Sequence, residues 1–141
     1  MTQSRDRRGV LRAAGTAVTV GLAGCLSAFE SDDYDVGMTA VAFTPETITV
    51  DVGGTVVWKN TSSRAHTVTA YEEPLPEGAD FFATGGYDSE AAAREAWETD
   101  GEGVIATDQT FAHTFEVPGT YPYVCLPHET GGMVGTVVVE A

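Results

Sequence analysis

Basic residues are scarce in this chain of 141 residues, which has 7 lysines and arginines against 21 aspartates and glutamates, a formal net charge of −14. So acidic a surface argues against nucleic acid as a partner, because phosphates are bound by cations. With only two cysteines the chain has at most one disulfide bridge, which excludes a disulfide-rich scaffold. The length is that of a single domain, and the hydrophobic share of 43% is enough for a core.

A long apolar run is also missing. The uncharged stretch near the N-terminus, residues 13–29, has 17 residues, fewer than the roughly 20 that a membrane-spanning helix needs. A basic start precedes this stretch and small residues end it, which is the pattern of an export signal. We therefore predict that residues 1–24 are an export signal, and its start resembles a twin-arginine signal. The basic residues of the start are Arg5, Arg7, Arg8 and Arg12.

The sequence Leu22-Ala23-Gly24-Cys25 resembles a lipobox, in which the cysteine becomes the first mature residue and carries lipid. An ordinary cleaved signal with an incidental cysteine is the alternative. Residues 25–35 are polar and acidic, and we interpret them as a tether between lipid and domain. A single acyl chain binds membranes only marginally, so a stable anchor needs two or more. The expected location is the outer face of the cell membrane, with lipid on Cys25.

Without residues 1–24 the chain has 3 basic and 20 acidic residues. Repulsion at this charge density destabilises a compact state in dilute salt, and molar salt screens it. The composition is similar to that of proteins from salt-loving organisms. An acidic protein from another environment remains the alternative.

From residue 36 to residue 141 the sequence consists of short β-type runs separated by turn residues, which predicts an all-β fold. We expect a Greek-key β-sandwich of about seven to eight strands. Residues 72–109 interrupt this rhythm as an insertion, either functional or a surface excursion. It contains an Ala-rich segment that predicts one short helix over 89–97, capped by Asp88 or Ser89. The predicted strands are 36–43, 47–52, 55–60, 66–71, 110–117, 120–125 and 133–140.

The clearest chemical signal is the segment 125–133, which places a thiol, an imidazole and a thioether within nine residues at Cys125, His128 and Met133. His66 follows a polar loop and offers a second imidazole. Two histidines and one cysteine with a weak axial methionine form a blue-copper site. Zinc also binds such a set, but the thioether and the order of metal affinities favour copper. His113 shares a strand face with phenylalanines, so we expect a buried, hydrogen-bonded core residue there.

The spacing Cys-x2-His-x4-Met resembles that of the cupredoxins, specifically the plastocyanin-like group. The segments 60–68, 119–125 and 132–135 are similar to the corresponding segments of that group. The tether, the lipobox and the acidic composition are similar to those of the halocyanins, the small blue-copper proteins of halophilic archaea. The resemblance implies one type 1 copper per chain, bound by His66, Cys125, His128 and Met133.

The resemblance also implies a function. We expect a membrane-tethered one-electron carrier between respiratory complexes, not an enzyme, and a monomer. Val124 stands where plant plastocyanins have a tyrosine of a second docking region, which argues against a photosynthetic partner. Electrons would then pass through an apolar electron-exit patch at the His128 edge. A copper delivery or storage lipoprotein is the alternative. The patch consists of Leu126, Pro127, His128, Gly131 and Gly132.

Overall fold

Alternating apolar and polar side chains, together with frequent turn residues, produce short strands, as the sequence pattern predicts. The computed structural model describes residues 33–141, so the predicted signal, Cys25 and nearly all of the tether lie outside the described residues. The described strands are β1 (Val36–Met38), β2 (Phe43–Thr44), β3 (Thr47–Asp51), β4 (Thr55–Asn60), β5 (Thr69–Ala70), β6 (Thr110–Thr114), β7 (Gly119–Val124) and β8 (Val134–Glu140), and the helix α1 spans Glu90–Asp100.

The strands form two four-stranded sheets. The first has the order β2-β1-β4-β6, and the second has the order β3-β8-β7-β5. Both sheets are mixed, because β1 pairs in parallel with β4 and β3 pairs in parallel with β8, while the remaining pairs are antiparallel. This confirms the all-β sandwich of eight strands with one short helix. No helix in the described range 33–141 is long and apolar enough to cross a membrane.

The core is built around Trp58 of β4, which is fully buried. Its indole packs against Phe82, Phe111 and Tyr123, with ring centroids 5.3–5.9 Å apart. Tyr123 belongs to the second sheet, so these ring contacts join the two layers. Aromatic pairs of this kind add to the free energy gained by burial. Because Tyr123 lies two residues before Cys125, the core also fixes the strand that delivers the cysteine.

The insertion 72–109 lies largely at the surface but contributes side chains to the core. Phe82 and Ile105 are buried in the main cluster. Helix α1 begins after Ser89, whose hydroxyl accepts a hydrogen bond from the Ala92 N–H at 3.1 Å, as expected for an N-cap. Gly101 caps its C-terminal end in a left-handed conformation (φ 68°), which would be strained for a residue with a side chain. The helix is three residues longer at its C-terminal end than predicted.

Three predicted strands were wrong in extent. The run 110–117 ends at Thr114 as β6. The run 36–43 is divided into β1 and β2, because the Thr39 side chain bonds to the backbone of Ala42 and makes a turn. Threonine side chains compete with strand pairing in this way. The run 66–71 shortens to β5, since His66 instead pairs with Ile105 of the insertion in an isolated bridge.

Candidate metal centre

Three side chains from two distant parts of the sequence meet where β7 ends. The Nδ1 atom of His66 lies 3.3 Å from the Sγ atom of Cys125, and the Nδ1 atom of His128 lies 3.4 Å from the same sulfur. The possible ligand atoms of the three residues all lie within 4.8 Å of one another. His66 and Cys125 are fully buried, while His128 is partly exposed. This is the trio that the sequence predicted.

Met133 closes the loop that carries the other two ligands. The Cys125 N–H donates to the Met133 carbonyl at 3.0 Å, and the Met133 N–H donates to the His128 carbonyl at 3.3 Å. The Met133 side chain is 1% exposed and belongs to the core cluster. The chain therefore returns beside Cys125, with the thioether shielded from water.

The loop itself, Leu126–Gly131, consists of 3₁₀ turns with a kink at His128 (φ −122°, ψ 20°), and we call it the ligand loop. Pro127 stands at its start, where a missing backbone N–H costs nothing. The His128 N–H donates to the Cys125 carbonyl at 3.0 Å. The segment ends at Gly132, which has the left-handed conformation (φ 85°) that favours glycine. Local turn chemistry thus sets the distance from the cysteine to the histidine.

His66 is oriented by the polar loop that precedes it. Its Nε2 atom lies 3.0 Å from the Ser62 hydroxyl, and with the proton on Nε2 the ring donates there and leaves Nδ1 free to bind a metal. The Asn60 side-chain oxygen Oδ1 accepts from the Ser62 N–H and hydroxyl. The Asn60 side-chain Nδ2 group donates to the Ile105 carbonyl at 2.9 Å, which ties this loop to the insertion.

Thr67, the residue after His66, also holds Cys125 in place. The Thr67 N–H lies 3.5 Å from the sulfur and donates to it. The Thr67 hydroxyl accepts from the Leu126 N–H at 2.8 Å, which fixes the backbone directly after the cysteine. Hydrogen bonds to a ligand sulfur are among the features that set the potential of a copper site.

The electrostatics of the metal-free site follow from burial. Burial lowers the pKa of His66, and the neighbouring His128 lowers it further. Burial also lowers the pKa of His128. Both rings are therefore neutral at pH 7, the form in which imidazole binds metals. Burial raises the pKa of the Cys125 thiol, so binding a metal must release its proton.

The residues fit a copper ion. Metal bonds of about 2.0 Å to nitrogen and about 2.3 Å to sulfur can bridge separations of up to about 4.3 Å. The two nitrogen–sulfur separations of 3.3 and 3.4 Å are within this limit. Thiolate and thioether are soft ligands that select Cu(I), and imidazole suits both oxidation states. When bound there, copper supplies a one-electron redox couple.

His113 differs from its prediction. It is only partly buried, and its contacts are aromatic instead of a hydrogen bond: the ring stacks on Phe82 at 4.6 Å and meets Phe115 edge-on at 4.8 Å. It lies outside the ligand group found among residues 33–141. Its strand face is the predicted one, because Phe115 of the same alternating run is buried.

The residues of the electron-exit patch lie on or next to the ligand loop. Leu126, Pro127 and His128 are partly exposed, while Gly131 and Gly132 are exposed. No charged side chain belongs to this set. The accessible part of the metal centre is thus the His128 edge, since His66 and Cys125 are buried.

Sequence reasoning missed a charged cluster beside the ligand loop. Arg94 of α1 binds the Glu129 carboxylate, and the Tyr71 hydroxyl donates to the same carboxylate at 2.9 Å. The Arg94 hydrogen bonds hold the pKa of Glu129 below its usual range. Burial, and then the bond to Glu129, raises the pKa of Tyr71 to about 12. The one sequence signal was a glutamate inside a loop of otherwise uncharged residues.

Comparison with known proteins agrees with this geometry. The model of the family "Copper binding proteins, plastocyanin/azurin family" matches residues 31–140. Chloroplastic plastocyanin from Hordeum vulgare is 32% identical, with 99% of this chain and 88% of that protein covered. Plastocyanin from Scenedesmus fuscus is 31% identical, with 72% and 89% covered. A solved mutant of amicyanin shares the fold at a TM-score of 0.55, with 24% identity and 78% and 89% covered.

The fold and the ligand set define a cupredoxin. The chain belongs to the plastocyanin/azurin family of copper-binding proteins, and His66, Cys125, His128 and Met133 are arranged as its type 1 copper site. It is a blue-copper electron-transfer protein.

Proposed function

We propose that this chain is a one-electron carrier of the halocyanin type, tethered to the outer face of the cell membrane and exchanging electrons with membrane respiratory complexes. The observation that supports it most is the buried pair His66 and Cys125 beside the partly exposed His128. A buried, hydrogen-bonded site favours retention of copper, whereas a delivery protein releases its metal. In residues 33–141 this is the single group of three or more such ligands, which supports a carrier over a multi-copper enzyme.

The first experiment adds Cu(II) to the full chain in high salt and records the visible spectrum. We expect an intense blue sulfur-to-copper band at one copper per chain that ascorbate bleaches. Cys125→Ser is the matched control, because a hydroxyl replaces the thiol at nearly the same size. A colourless complex, or an equally blue Cys125→Ser variant, would remove the electron-carrier proposal.

The exit of electrons through the patch is tested at Gly131. A Cβ atom built there meets nothing within 4 Å, so Gly131→Glu places a charge in the patch without a clash. We expect slower electron self-exchange, because two like-charged, crowded patches dock less well. Thr120→Glu adds the same charge to an exposed site at the other end of β7. Equal self-exchange rates in both variants would mean that electrons do not leave at this patch.

Membrane attachment is proposed through Cys25 alone. In cells that process lipoproteins, we expect the copper-loaded chain in the membrane fraction and Cys25→Ser in the soluble exported fraction. Mass spectrometry of the membrane-bound form should find the acyl chains on Cys25. A Cys25→Ser variant that stays with the membrane would contradict this anchor while leaving the copper assignment intact.

The proposed monomer and the salt-loving origin rest on charge. None of the acidic side chains in residues 33–141 is buried, so their repulsion acts at the surface and opposes self-association. Sedimentation of the copper-loaded chain should give a single monomeric species at low salt, where this repulsion is strongest. A dimer at low salt would contradict this proposal.

A further inference from the structure

Helix α1 of the insertion is joined to the ligand loop by an ion pair. The Arg94 Nη1 atom lies 2.7 Å from Glu129 Oε1, and Nη2 lies 3.0 Å from Oε2. This is the two-pronged arrangement that a planar guanidinium forms with a carboxylate, and it is stronger and more directional than a single bond. Glu129 follows directly after the ligand His128. The insertion therefore contacts the metal centre one residue away from a ligand.

The ion pair is part of a larger cluster. The Tyr71 hydroxyl donates to Glu129 Oε2, and the Arg94 guanidinium lies over the Tyr71 ring, 5.9 Å from its centroid. The Arg94 Nε atom donates to Glu90 Oε2 at 2.8 Å. The Glu72 N–H donates to the Glu90 carboxylate in turn. Each partner is thus fixed by a second contact, so Arg94 has little freedom to leave Glu129.

The cluster is partly shielded from water. The side chains of Arg94 and Glu129 are 28% and 34% exposed. An isolated surface pair contributes little to stability, but a two-pronged pair inside a network is the exception. The effect of the Arg94–Glu129 pair is therefore local. It restrains the short ligand loop and contributes little to the stability of the whole fold.

Movement of Glu129 and movement of the ligands are linked by the backbone. The Glu129 carbonyl accepts from the Gly132 N–H at 2.9 Å, and the His128 carbonyl accepts from the Met133 N–H. Fixing Glu129 from outside therefore fixes the turn that spans His128 and Met133. The loop also contains Gly131, and Gly132 follows it. Glycine restrains the backbone only weakly, so contacts from outside the loop matter here.

We propose that Arg94 is a positioning residue for copper, which holds the ligand loop through Glu129 so that His128 and Met133 keep their places in both oxidation states. A loop that moves little makes electron transfer fast and retains the ion. The proposal rests on copper binding by this loop and not on the identity of the redox partners.

The first test uses the metal-free full chain, so it is independent of the copper assignment. Amide hydrogen exchange of Gly132 and Met133 reports the opening of the loop. We expect exchange at these amides to be faster in Arg94→Gln, because the turn then opens more often. Arg64→Gln is the matched control, since it removes the same charge from an exposed side chain near both histidines. Unchanged exchange in Arg94→Gln would overturn the proposal.

The second test uses the copper-loaded full chain. We expect Arg94→Gln to lose Cu(II) to EDTA about tenfold faster and to show a broadened, heterogeneous electron paramagnetic resonance spectrum. Arg94→Lys keeps the charge but makes a contact through a single nitrogen. Its rate of copper loss should lie between those of the parent chain and Arg94→Gln. If Arg64→Gln changes copper loss as much as Arg94→Gln does, the effect is one of charge and the positioning role is wrong.

Tyr71→Phe provides the test should Arg94→Gln not fold. It removes one hydrogen bond to Glu129 and leaves the ring under Arg94 in place. We expect a smaller increase in Gly132 and Met133 exchange and in copper loss, with thermal unfolding unchanged. Exchange and copper loss equal to those of the parent chain would count against the cluster as a restraint on the loop.

Discussion

At the scale of single residues, hydrogen bonds from neighbouring groups orient two of the ligands, His66 and Cys125. His66 faces the sulfur with Nδ1 and Ser62 with Nε2, and Cys125 receives a hydrogen bond from Thr67. Such partners fix which ring nitrogen is free and where the sulfur lies. The ligands themselves could be predicted from their types and spacing. Their partners could not, because serines and threonines are common in loops and nothing in the sequence distinguishes Ser62 from Ser63.

Ser62→Ala should weaken copper binding. The substitution removes the acceptor for the His66 ring and also loosens the loop that starts at Asn60. We expect about tenfold lower affinity in a chelator competition, the lower end of the usual range for such partners. Ser63→Ala is the matched control, because Ser63 is the exposed neighbour. Equal affinities for the two variants would show that the Ser62 hydroxyl does not hold the ring.

His113 should make stability depend on pH. Burial lowers its pKa below 6.5, although Asp80 opposes part of this shift. The unfolded chain therefore takes up this proton first, and the contribution of neutral His113 is complete above about pH 6.5 and is lost as the pH falls below it. In His113→Phe the decline of urea stability from pH 7 to pH 5 should be smaller than in the parent chain. An identical decline would contradict the lowered pKa.

At the scale of elements, the hairpin of β7 and β8 positions the ligands. Strand β7 ends directly before Cys125, and β8 begins directly after Met133. Gly135 of β8 lies opposite Tyr123 of β7, and a Cβ atom there would lie 2.5 Å from the tyrosine hydroxyl. The glycine thus leaves room for a fully buried ring two residues before the ligand cysteine. The sequence predicted both strands, but a glycine inside a strand does not reveal which side chain uses its space.

Gly135→Ala should destabilise the chain by about 1–3 kcal/mol, the usual cost of overpacking a core. The displaced Tyr123 ring should also move Cys125 and shift the visible spectrum of the copper form. Urea denaturation of the metal-free chain measures the first effect. Gly131→Ala serves as the control, because its Cβ atom would enter open space. A Gly135→Ala variant as stable as Gly131→Ala would show that Tyr123 does not need this gap.

At the scale of the whole molecule, charge dominates. The net charge is −14, and the acidic side chains of residues 33–141 lie at the surface. Like charges at this density oppose the compact state. The same residues therefore limit stability in dilute salt.

Stability should rise with salt. The Debye length falls from about 10 Å at 0.1 M to about 3 Å at 1 M, which screens repulsion between surface charges. The urea midpoint of the metal-free chain should increase between 0.1 and 1 M KCl. Glu95→Gln combined with Glu98→Gln removes two exposed charges of α1 and should reduce this increase. A midpoint that stays constant or falls with KCl would contradict a role of repulsion.

The sequence alone determined the chemistry and the class of fold. Cys125, His128 and Met133 could be assigned because ligand types and short spacing are local features, which also resemble those of the plastocyanin-like group, and β-type alternation is likewise a local property. Only the tertiary structure decided what the insertion 72–109 does. Its Phe82 and Ile105 enter the core, and its Arg94 reaches Glu129. These contacts join residues far apart in the chain, and no local pattern encodes which distant partner a side chain meets.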